Sequence, residues 1–214
     1  MTTRADLAAE IADDIDDTTG FYSSQIATAI KAAQRECERE TYYFNQTRTI
    51  TFTTVASQSA YGTSDNANIP TLVHIRSAWI EDSNGERTDL RRITQEEWEW
   101  RADNSASTGE PYSYTYFEQQ VFLYPVPNSA NYTIRLIASP YRLDVLTNGT
   151  DTNAWLTEAY DLLKARAKYI LARDTLKDPE LAQAMYANWT DQDRMLTGET
   201  TRRLGTGRIR ATKF

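Results

Sequence analysis

The spacing of hydrophobic residues changes twice along the chain, from a helical period to alternation and back. Near the N-terminus apolar side chains recur every three or four positions, which is the spacing of one helix face. They predict helices over residues 3–16, with Thr3 as N-cap, and over residues 24–41, with Ser23 or Ser24 as N-cap. The first helix is short and thinly apolar, so we expect it to pack on another surface.

The helical period returns after residue 150. A helix capped near Asp151 or Thr152 carries one apolar stripe, and Asp178-Pro179-Glu180 marks the start of the next. This triplet places an N-cap, a proline at the first helical position and an acid in the first turn. We expect the second helix to end at Gly198. Two helices joined by so short a link pack as an antiparallel hairpin.

Between the helical regions the period is two. Threonine and apolar residues alternate from Thr47, which is typical of strands. Asn84-Gly85 predicts a hairpin turn after a strand over residues 72–81. Residues 94–97 match a capping box, so a short helix should start there. About six strands are expected in all, as a small antiparallel sandwich or barrel.

These elements predict an α+β fold. Its parts are a helical bundle, made of the N-terminal helix and the C-terminal helical hairpin, an inserted antiparallel β domain, and an extended C-terminal tail. The expected boundaries are 1–45 and 150–198 for the bundle, 46–149 for the β domain, and 199–214 for a basic arm.

Charge is distributed unevenly. The net charge of −7 argues against a general nucleic-acid-binding protein. The first twenty residues are rich in acid, and we interpret this segment as a surface that favours the helix dipole or faces a partner. Residues 200–214 carry five cations and no acid. Such a segment orders against a partner, and an acidic protein groove suits it better than DNA. Without an apolar run long enough for a membrane or a signal peptide, we expect a soluble, cytosolic chain.

The usual catalytic and metal-binding motifs are missing. His74 is the only histidine, is expected inside a strand, and is interpreted as a structural residue; Cys37 lies on an apolar stripe and is interpreted as a buried thiol. One histidine and one cysteine exclude the common zinc sites. The sequence has no phosphate-binding glycine loop and no nucleophile elbow. We therefore expect no catalytic residue, no cofactor and no metal.

Two clusters leave other functions open. Glu96, Glu97 and Glu99 stand beside tryptophans and could serve a carboxylate-based cell-wall hydrolase, although a solvated helix face explains them better. Alternating tyrosines at 112, 114 and 116 have three interpretations. In decreasing order of preference these are a packed sheet face, a protein contact surface, and the platform of a carbohydrate- or receptor-binding module. A DNA-binding accessory protein is a further alternative.

Several short motifs, in their order, resemble the head-to-tail adaptor proteins of short-tailed bacteriophages. They are Tyr42-Tyr43-Phe44-Asn45, Ile69-Pro70, Thr108-Gly109-Glu110-Pro111-Tyr112, Val121-Phe122-Leu123-Tyr124-Pro125-Val126-Pro127 and Tyr132-Thr133-Ile134. The resemblance extends from the helix at residues 24–41 to the C-terminus.

The resemblance implies a structural virion protein and not an enzyme. Similar proteins form a closed ring of about twelve copies under the portal protein, and their C-terminal arm reaches along the portal. The expected portal-binding residues here are Arg202, Arg203, Arg208, Ile209, Arg210 and Phe214. The tail nozzle or tube protein is the expected next partner, and tail fibres are a further candidate. The expected location is the virion neck, assembled in the host cytoplasm, with DNA passing through the channel without sequence-specific binding.

Overall fold

The computed structural model describes residues 2–104 and 107–205 of the chain. Helices lie near both ends of the chain and mainly antiparallel sheets lie between them, which confirms the α+β class. The chain divides into two compact units. We call Met1–Asn45 with Leu143–Phe214 the helical unit, and Gln46–Arg142 the β unit.

The described residues contain six α-helices: α1 (Arg4–Asp14), α2 (Ser23–Cys37), α3 (Gln95–Asn104), α4 (Ala154–Glu158), α5 (Tyr160–Leu171) and α6 (Pro179–Leu204). They also contain ten strands: β1 (Thr47–Thr53), β2 (Ala60–Tyr61), β3 (Ile75–Glu81), β4 (Arg87–Asp89), β5 (Arg91–Arg92), β6 (Thr108–Gly109), β7 (Ser113–Phe117), β8 (Gln120–Tyr124), β9 (Val126–Pro127) and β10 (Thr133–Ala138). A short 3-10 turn spans Ile69–Thr71, and a π-helical turn, Ala172–Leu176, extends α5.

Helix α1 starts at the predicted cap. The Thr3 hydroxyl accepts a hydrogen bond from the Asp6 N–H at 3.3 Å, and the Asp6 carboxylate accepts from the Thr3 N–H at 2.8 Å. This reciprocal capping box satisfies two free N–H groups of the first turn. Leu7 and Ile11 are buried in the core of the helical unit, so the short helix packs on a surface as expected.

Helix α2 begins without the predicted serine cap. The Asp17 carboxylate accepts hydrogen bonds from the N–H groups of Phe21 and Tyr22, at 2.9 and 2.8 Å. It therefore holds the turn just before α2 in place of a serine. The predicted apolar stripe is buried, but α2 ends at Cys37 instead of continuing to residue 41.

The predicted hairpin after residue 150 forms, with two differences. The first helix is divided at Ala159, where φ is −140°, and α4 is capped by Asn153 instead of Asp151 or Thr152. Asp178 caps α6 as predicted, accepting from the N–H groups of Glu180 and Leu181 at 3.0 Å each. Helices α5 and α6 pack against each other in the helical unit.

The end of α6 corrects the predicted arm. The helix runs through Gly198 to Leu204, so residues 199–204 are helical and not part of an extended arm. The segment from Leu143 to Gly149, assigned to the β domain from sequence, lies in the helical unit. It does so because the backbone N–H groups of Leu143 and Leu146 donate to the side chains of Glu38, the residue that follows α2, and of Gln34 in α2.

The β unit has two four-stranded sheets and one short extra pair. The sheet orders are β1-β10-β3-β4 and β2-β8-β7-β5, and β6 pairs with β9. Most pairs are antiparallel, whereas β5–β7 and β6–β9 are parallel. Alternate residues of both sheets, including Phe52, Ile134, Tyr114 and Leu123, are buried together in one core. These contacts agree with a small two-sheet domain.

Some of the local sequence patterns in the β unit predicted its structure correctly. The predicted turn joins β3 to β4, and the Asp82 carboxylate accepts from the N–H groups of Asn84 and Glu86, both at 2.8 Å. Gly85 has φ +82°, which glycine adopts without strain. Strand β3 begins at Ile75 instead of residue 72, so His74 precedes the strand. In the described part of the chain, no helix is long and apolar enough to cross a membrane.

Candidate functional site

The predicted portal-binding residues start on the last turn of α6. Arg202 and Arg203 are exposed residues of that turn. The other four, Arg208, Ile209, Arg210 and Phe214, lie outside the described residues. The last turn of α6 and the side chains that hold it therefore form the candidate site.

Three contacts extend α6 beyond Gly198. Glu199 and Arg203 form an ion pair one turn apart, a spacing that supports a helix. The Thr200 side chain is buried, and its hydroxyl accepts a hydrogen bond from the Tyr43 N–H at 3.3 Å. The Arg203 guanidinium lies 3.8 Å from the centre of the Tyr43 ring, a cation–π geometry. The last turn of α6 is thus attached to the segment that follows α2.

Tyr43 connects this turn to α4 as well. Its hydroxyl donates to the Glu158 carboxylate at 2.5 Å. Burial and this hydrogen bond raise the pKa of Tyr43 to about 12, so the hydroxyl keeps its proton at neutral pH. The hydrogen bond to Glu199 raises the pKa of Arg203. We call Tyr43, Glu158, Glu199, Thr200 and Arg203 the helix-end cluster.

The rest of the Tyr42-Tyr43-Phe44-Asn45 motif positions this cluster. The Asn45 side chain accepts from the Tyr42 N–H at 2.7 Å and donates to the Glu40 carbonyl at 2.8 Å, which closes the turn after α2. The buried Tyr42 hydroxyl donates to Asp193 of α6 at 2.5 Å. Phe44 packs edge-to-face on Trp155, with 4.9 Å between ring centroids. The motif thereby joins α4 and α6.

Gly205 ends the helix. Its N–H donates to the Thr201 carbonyl at 2.8 Å, and its ψ of 137° turns the chain out of the helix. A Cβ at this position would come within 2.7 Å of that same carbonyl oxygen. Any other residue would therefore have to change this exit, so the direction in which the chain leaves α6 depends on glycine.

Arg202 lies on a different side of the turn. Its Nε donates to the Gly198 carbonyl at 3.3 Å. It borders a groove of about 360 Å³ that also contains Glu158, Asp161 and the exposed Met195. Carboxylates, an arginine and an apolar side chain in one groove suit a protein contact of mixed polarity.

Sequence reasoning missed the side chains that fix the helix end. Tyr43 was part of a recognised motif, but nothing local connects it with Arg203, 160 positions later. Glu158 and Thr200 carry no signal at all. The available clue was the two neighbouring tyrosines just after a helix, since buried tyrosines need a hydrogen-bond partner.

The three glutamates of the hydrolase alternative lie on the surface of α3. Glu97 forms an ion pair with Arg101 at 2.5 Å, and Glu99 accepts from Gln95 at 2.8 Å. Glu96 is exposed. The Glu97 N–H donates to Thr94, as the capping motif predicts. These contacts within one helix are those of a solvated helix face.

The tyrosine stripe does not form one platform. Tyr114 is only 2% exposed and belongs to the β-unit core, and the Tyr116 hydroxyl donates to the carbonyls of Ile69 and Leu72. Tyr112 alone is well exposed. The preferred interpretation, a packed sheet face, fits two of the three rings and leaves Tyr112 at the surface.

The single histidine and cysteine have different surroundings. His74 is exposed, and its Nε2 lies 3.4 Å from Arg92. Cys37 is buried as predicted, and burial raises the pKa of its thiol to about 12, which makes it unreactive at neutral pH. Within residues 2–104 and 107–205, no group of three or more His, Cys, Asp or Glu side chains is placed to hold a metal ion.

Most acidic residues of the N-terminal segment form hydrogen bonds or ion pairs within the helical unit. Glu10 and Asp14 pair with Lys164 of α5, both at 2.9 Å, and Asp14 also pairs with Lys168 at 3.0 Å. Asp6 completes the capping box at the start of α1, and Asp17 holds the turn before α2. The segment is therefore less a partner-facing surface than we expected, because four of its six acids bind groups of the same chain.

The model of the SU10 adaptor protein family matches residues 2–211. The match spans nearly the whole chain, so the chain belongs to this family, and its resemblance to phage head-to-tail adaptors is confirmed. The family indicates a structural role in the virion neck. No curated protein matches the chain.

Proposed function

We propose that this member of the SU10 adaptor protein family forms a ring under the portal of a tailed phage and links it to the tail. The ring would contain about twelve copies, closed by rotation. DNA would pass through its channel without sequence-specific contacts. The nozzle or tube protein of the tail would bind the opposite side, and fibres are a further candidate partner.

The two units would divide this work. The helical unit would form a helical bundle that faces the portal through its helices and the basic C-terminal arm. The β unit would be an inserted domain that presents the platform for the tail. The proposal that the helical unit binds the portal is supported by the helix-end cluster, which holds the last turn of α6 at a fixed position. An arm that starts from a fixed point loses less conformational entropy when it binds.

Portal contact through the arm would use Arg202, Arg208, Ile209, Arg210 and Phe214, with Arg203 holding the base. Positive residues in a chain of net charge −7 would guide the arm to acidic portal surface and set its orientation. An extended arm with alternating charged and apolar residues suits addition to another chain.

Mass photometry tests the proposal directly. The chain is mixed with the portal ring encoded by the same genome, and the mass added to the ring is measured. We expect the addition of about twelve copies. If the wild-type chain adds no mass to the portal, the adaptor proposal is wrong.

A triple variant tests the arm. Arg208, Arg210 and Lys213 are changed to serine, which keeps the chain length and the helix-end cluster. We expect about tenfold weaker portal binding or more, since buried interface charges carry large effects. The control changes three exposed arginines of the β unit, Arg76, Arg91 and Arg92, to serine. Equal binding by both triple variants would reject the arm as the portal contact.

A further inference from the structure

An apolar groove lies at the end of the α5–α6 hairpin. Its volume is about 590 Å³, and its walls are the rings of Tyr169 and Tyr186 with Ala172, Pro179 and Ala182. We call it the tyrosine groove. Tyr186 is about half exposed, and the two ring centroids are 5.5 Å apart at an angle of 56°. Rings this close are in contact with each other, so together they form one aromatic wall of the groove, against which another aromatic side chain can pack.

The walls of the tyrosine groove are fixed before any partner arrives. The guanidinium groups of Arg166 and Arg173 lie 5.0 and 5.2 Å from the centre of the Tyr169 ring. The turn between the helices is closed by a hydrogen bond from the Asp178 N–H to the Ala172 carbonyl at 3.1 Å. A preformed pocket costs little reorganisation when it binds a partner.

The same unit carries an exposed aromatic side chain of matching kind. Phe21 is 73% exposed, more than any other large apolar residue described. Its backbone and its ring are both held in place. The Phe21 N–H donates a hydrogen bond to the Asp17 carboxylate, and the ring packs edge-to-face on Tyr22, with 4.9 Å between ring centroids. The preceding residue, Gly20, has a φ angle of +73°. A rigid exposed phenylalanine loses little entropy on docking, which is typical of an interface anchor.

Phe21 and the tyrosine groove lie toward the same end of the helical unit. Asp14, the last residue of α1, pairs with Lys168 one turn before α5 ends. The α1–α2 turn follows Asp14, and the α5–α6 turn follows soon after Lys168. In a closed ring with heterologous contacts, one patch of each copy binds a different patch of its neighbour. Two different patches toward the same end of the helical unit meet this requirement.

We propose that Phe21 of one copy docks in the tyrosine groove of the next copy, against the wall formed by Tyr169 and Tyr186. This contact deepens the proposed function and rests on it, because it supplies the interface between neighbours in the ring. The occupant is a second copy of this chain, since the chain itself presents both the anchor and the groove. An aromatic anchor in a preformed aromatic pocket is the usual centre of a protein interface.

Charge next to the two patches is of opposite sign. Asp13 and Asp16 are exposed near Phe21, and neither forms an ion pair among the described residues. At the groove, Asp174 pairs with Arg173 and Asp178 caps α6, whereas Lys177 is exposed without an ion pair in the described chain. Acid beside the anchor and a cation beside the groove favour one orientation of the contact.

Cysteine cross-linking is the direct test. A double variant, Thr18→Cys with Gln183→Cys, places cysteines beside the anchor and in the groove lining and leaves Phe21 and Tyr186 in place. It is oxidised on the portal ring and also as concentrated chain alone. We expect a ladder of covalently joined copies. The control pairs Thr18→Cys with Met195→Cys, a residue of the same helix as Gln183 that is 58% exposed. Cys37 needs no removal, since its raised pKa keeps it protonated.

The cross-linking result is independent of portal binding. A ladder with Gln183→Cys but not with Met195→Cys supports the contact. No ladder in either condition, or equal ladders with both pairs, overturns it, whether or not the chain binds the portal.

Removing the anchor gives the second measurement. Wild-type copies that contact each other should fill portal rings cooperatively, so that rings are either nearly empty or full. Phe21→Ser should weaken filling about thirtyfold or more and give intermediate masses, while Val145→Ser, which changes another exposed apolar residue of the helical unit, should fill as the wild type does. A wild-type chain that never joins the portal rejects the adaptor proposal. Complete, cooperative filling by Phe21→Ser rejects only the contact between copies.

Discussion

Two buried polar side chains, Gln34 in the helical unit and Thr54 in the β unit, differ in how many hydrogen bonds they make. In the helical unit, Gln34 is fully buried and bonds to four groups. It accepts from the Leu146 N–H at 3.1 Å and donates to Glu38 at 2.8 Å, to the Asp144 carbonyl at 3.0 Å and to the Leu143 carbonyl at 3.5 Å. In the β unit, the buried Thr54 hydroxyl donates one hydrogen bond, to the Ser129 carbonyl at 2.8 Å.

The difference follows from how each unit is assembled. The β unit is one continuous segment, and its strands satisfy one another through backbone ladders. The helical unit joins segments about a hundred residues apart, and a helix has no free backbone groups along its sides. Side chains such as Gln34 and Tyr42 must therefore make the polar connections. This predicts that single polar substitutions cost more in the helical unit.

The largest effect is expected at Gln34. Gln34→Met keeps the length of the side chain and removes its hydrogen bonds, which leaves the buried Leu146 N–H without this acceptor and takes one donor from the buried Glu38 carboxylate. The Asp144 carbonyl still accepts from the Asn153 side chain. An unsatisfied buried group costs about 1–3 kcal/mol, and a hydrogen bond to a charged group contributes about 1.5–3 kcal/mol, so we expect a loss of about 3 kcal/mol. Urea unfolding measures the change in free energy of unfolding.

The matched control for Gln34 is Gln25, an exposed residue of the same helix. Gln25→Met should change the free energy of unfolding by less than about 0.5 kcal/mol. If the two variants lose similar amounts, the buried network does not hold the segments of the helical unit together.

A smaller effect is expected at Thr54. Thr54→Val removes one buried hydroxyl and its single hydrogen bond, which should cost about 1 kcal/mol. The neighbouring Thr53 is exposed, and Thr53→Val should be close to neutral in the same urea titration. A loss at Thr54 as large as the loss at Gln34 would contradict the contrast between the units.

Local signals in the sequence predicted the elements that depend on local contacts. The Thr3 N-cap, the Asp178 cap and the Asn84-Gly85 turn each involve residues within a few positions of one another. The period of apolar residues also identified the buried stripe of α2. For the two caps and the turn, the physical cause lies within one turn of the chain.

Features that depend on distant residues could not be predicted in this way. Helix α6 continues past Gly198 because Tyr43, far away in sequence, holds its last turn. The break at Ala159 and the pairing of α1 acids with α5 lysines likewise depend on packing. The tyrosine groove exists only once α5 and α6 are joined by their turn, so no periodicity could indicate it.

The smallest expected effect concerns α1, and it depends on pH. The hydrogen bond from Lys164 lowers the pKa of Glu10. Partial burial opposes a similar shift at Asp14, but hydrogen bonds from Lys164 and Lys168 still lower its pKa. Carboxylates with lowered pKa in the folded state stabilise it above their ordinary values of 4.5 and 3.8. That stability is lost as the pH falls through the lowered values.

Replacing both carboxylates should therefore matter at neutral pH and not in acid. Glu10→Gln with Asp14→Asn is expected to lose up to about 1 kcal/mol at pH near 7, as partly exposed pairs do. The difference from wild type should shrink below about pH 4 and disappear in stronger acid. Urea unfolding across this range measures it, with Asp13→Asn, an exposed residue beside the pair, as the control. A difference that stays constant with pH would mean that packing of Leu7 and Ile11, and not charge, holds α1 on the helical unit.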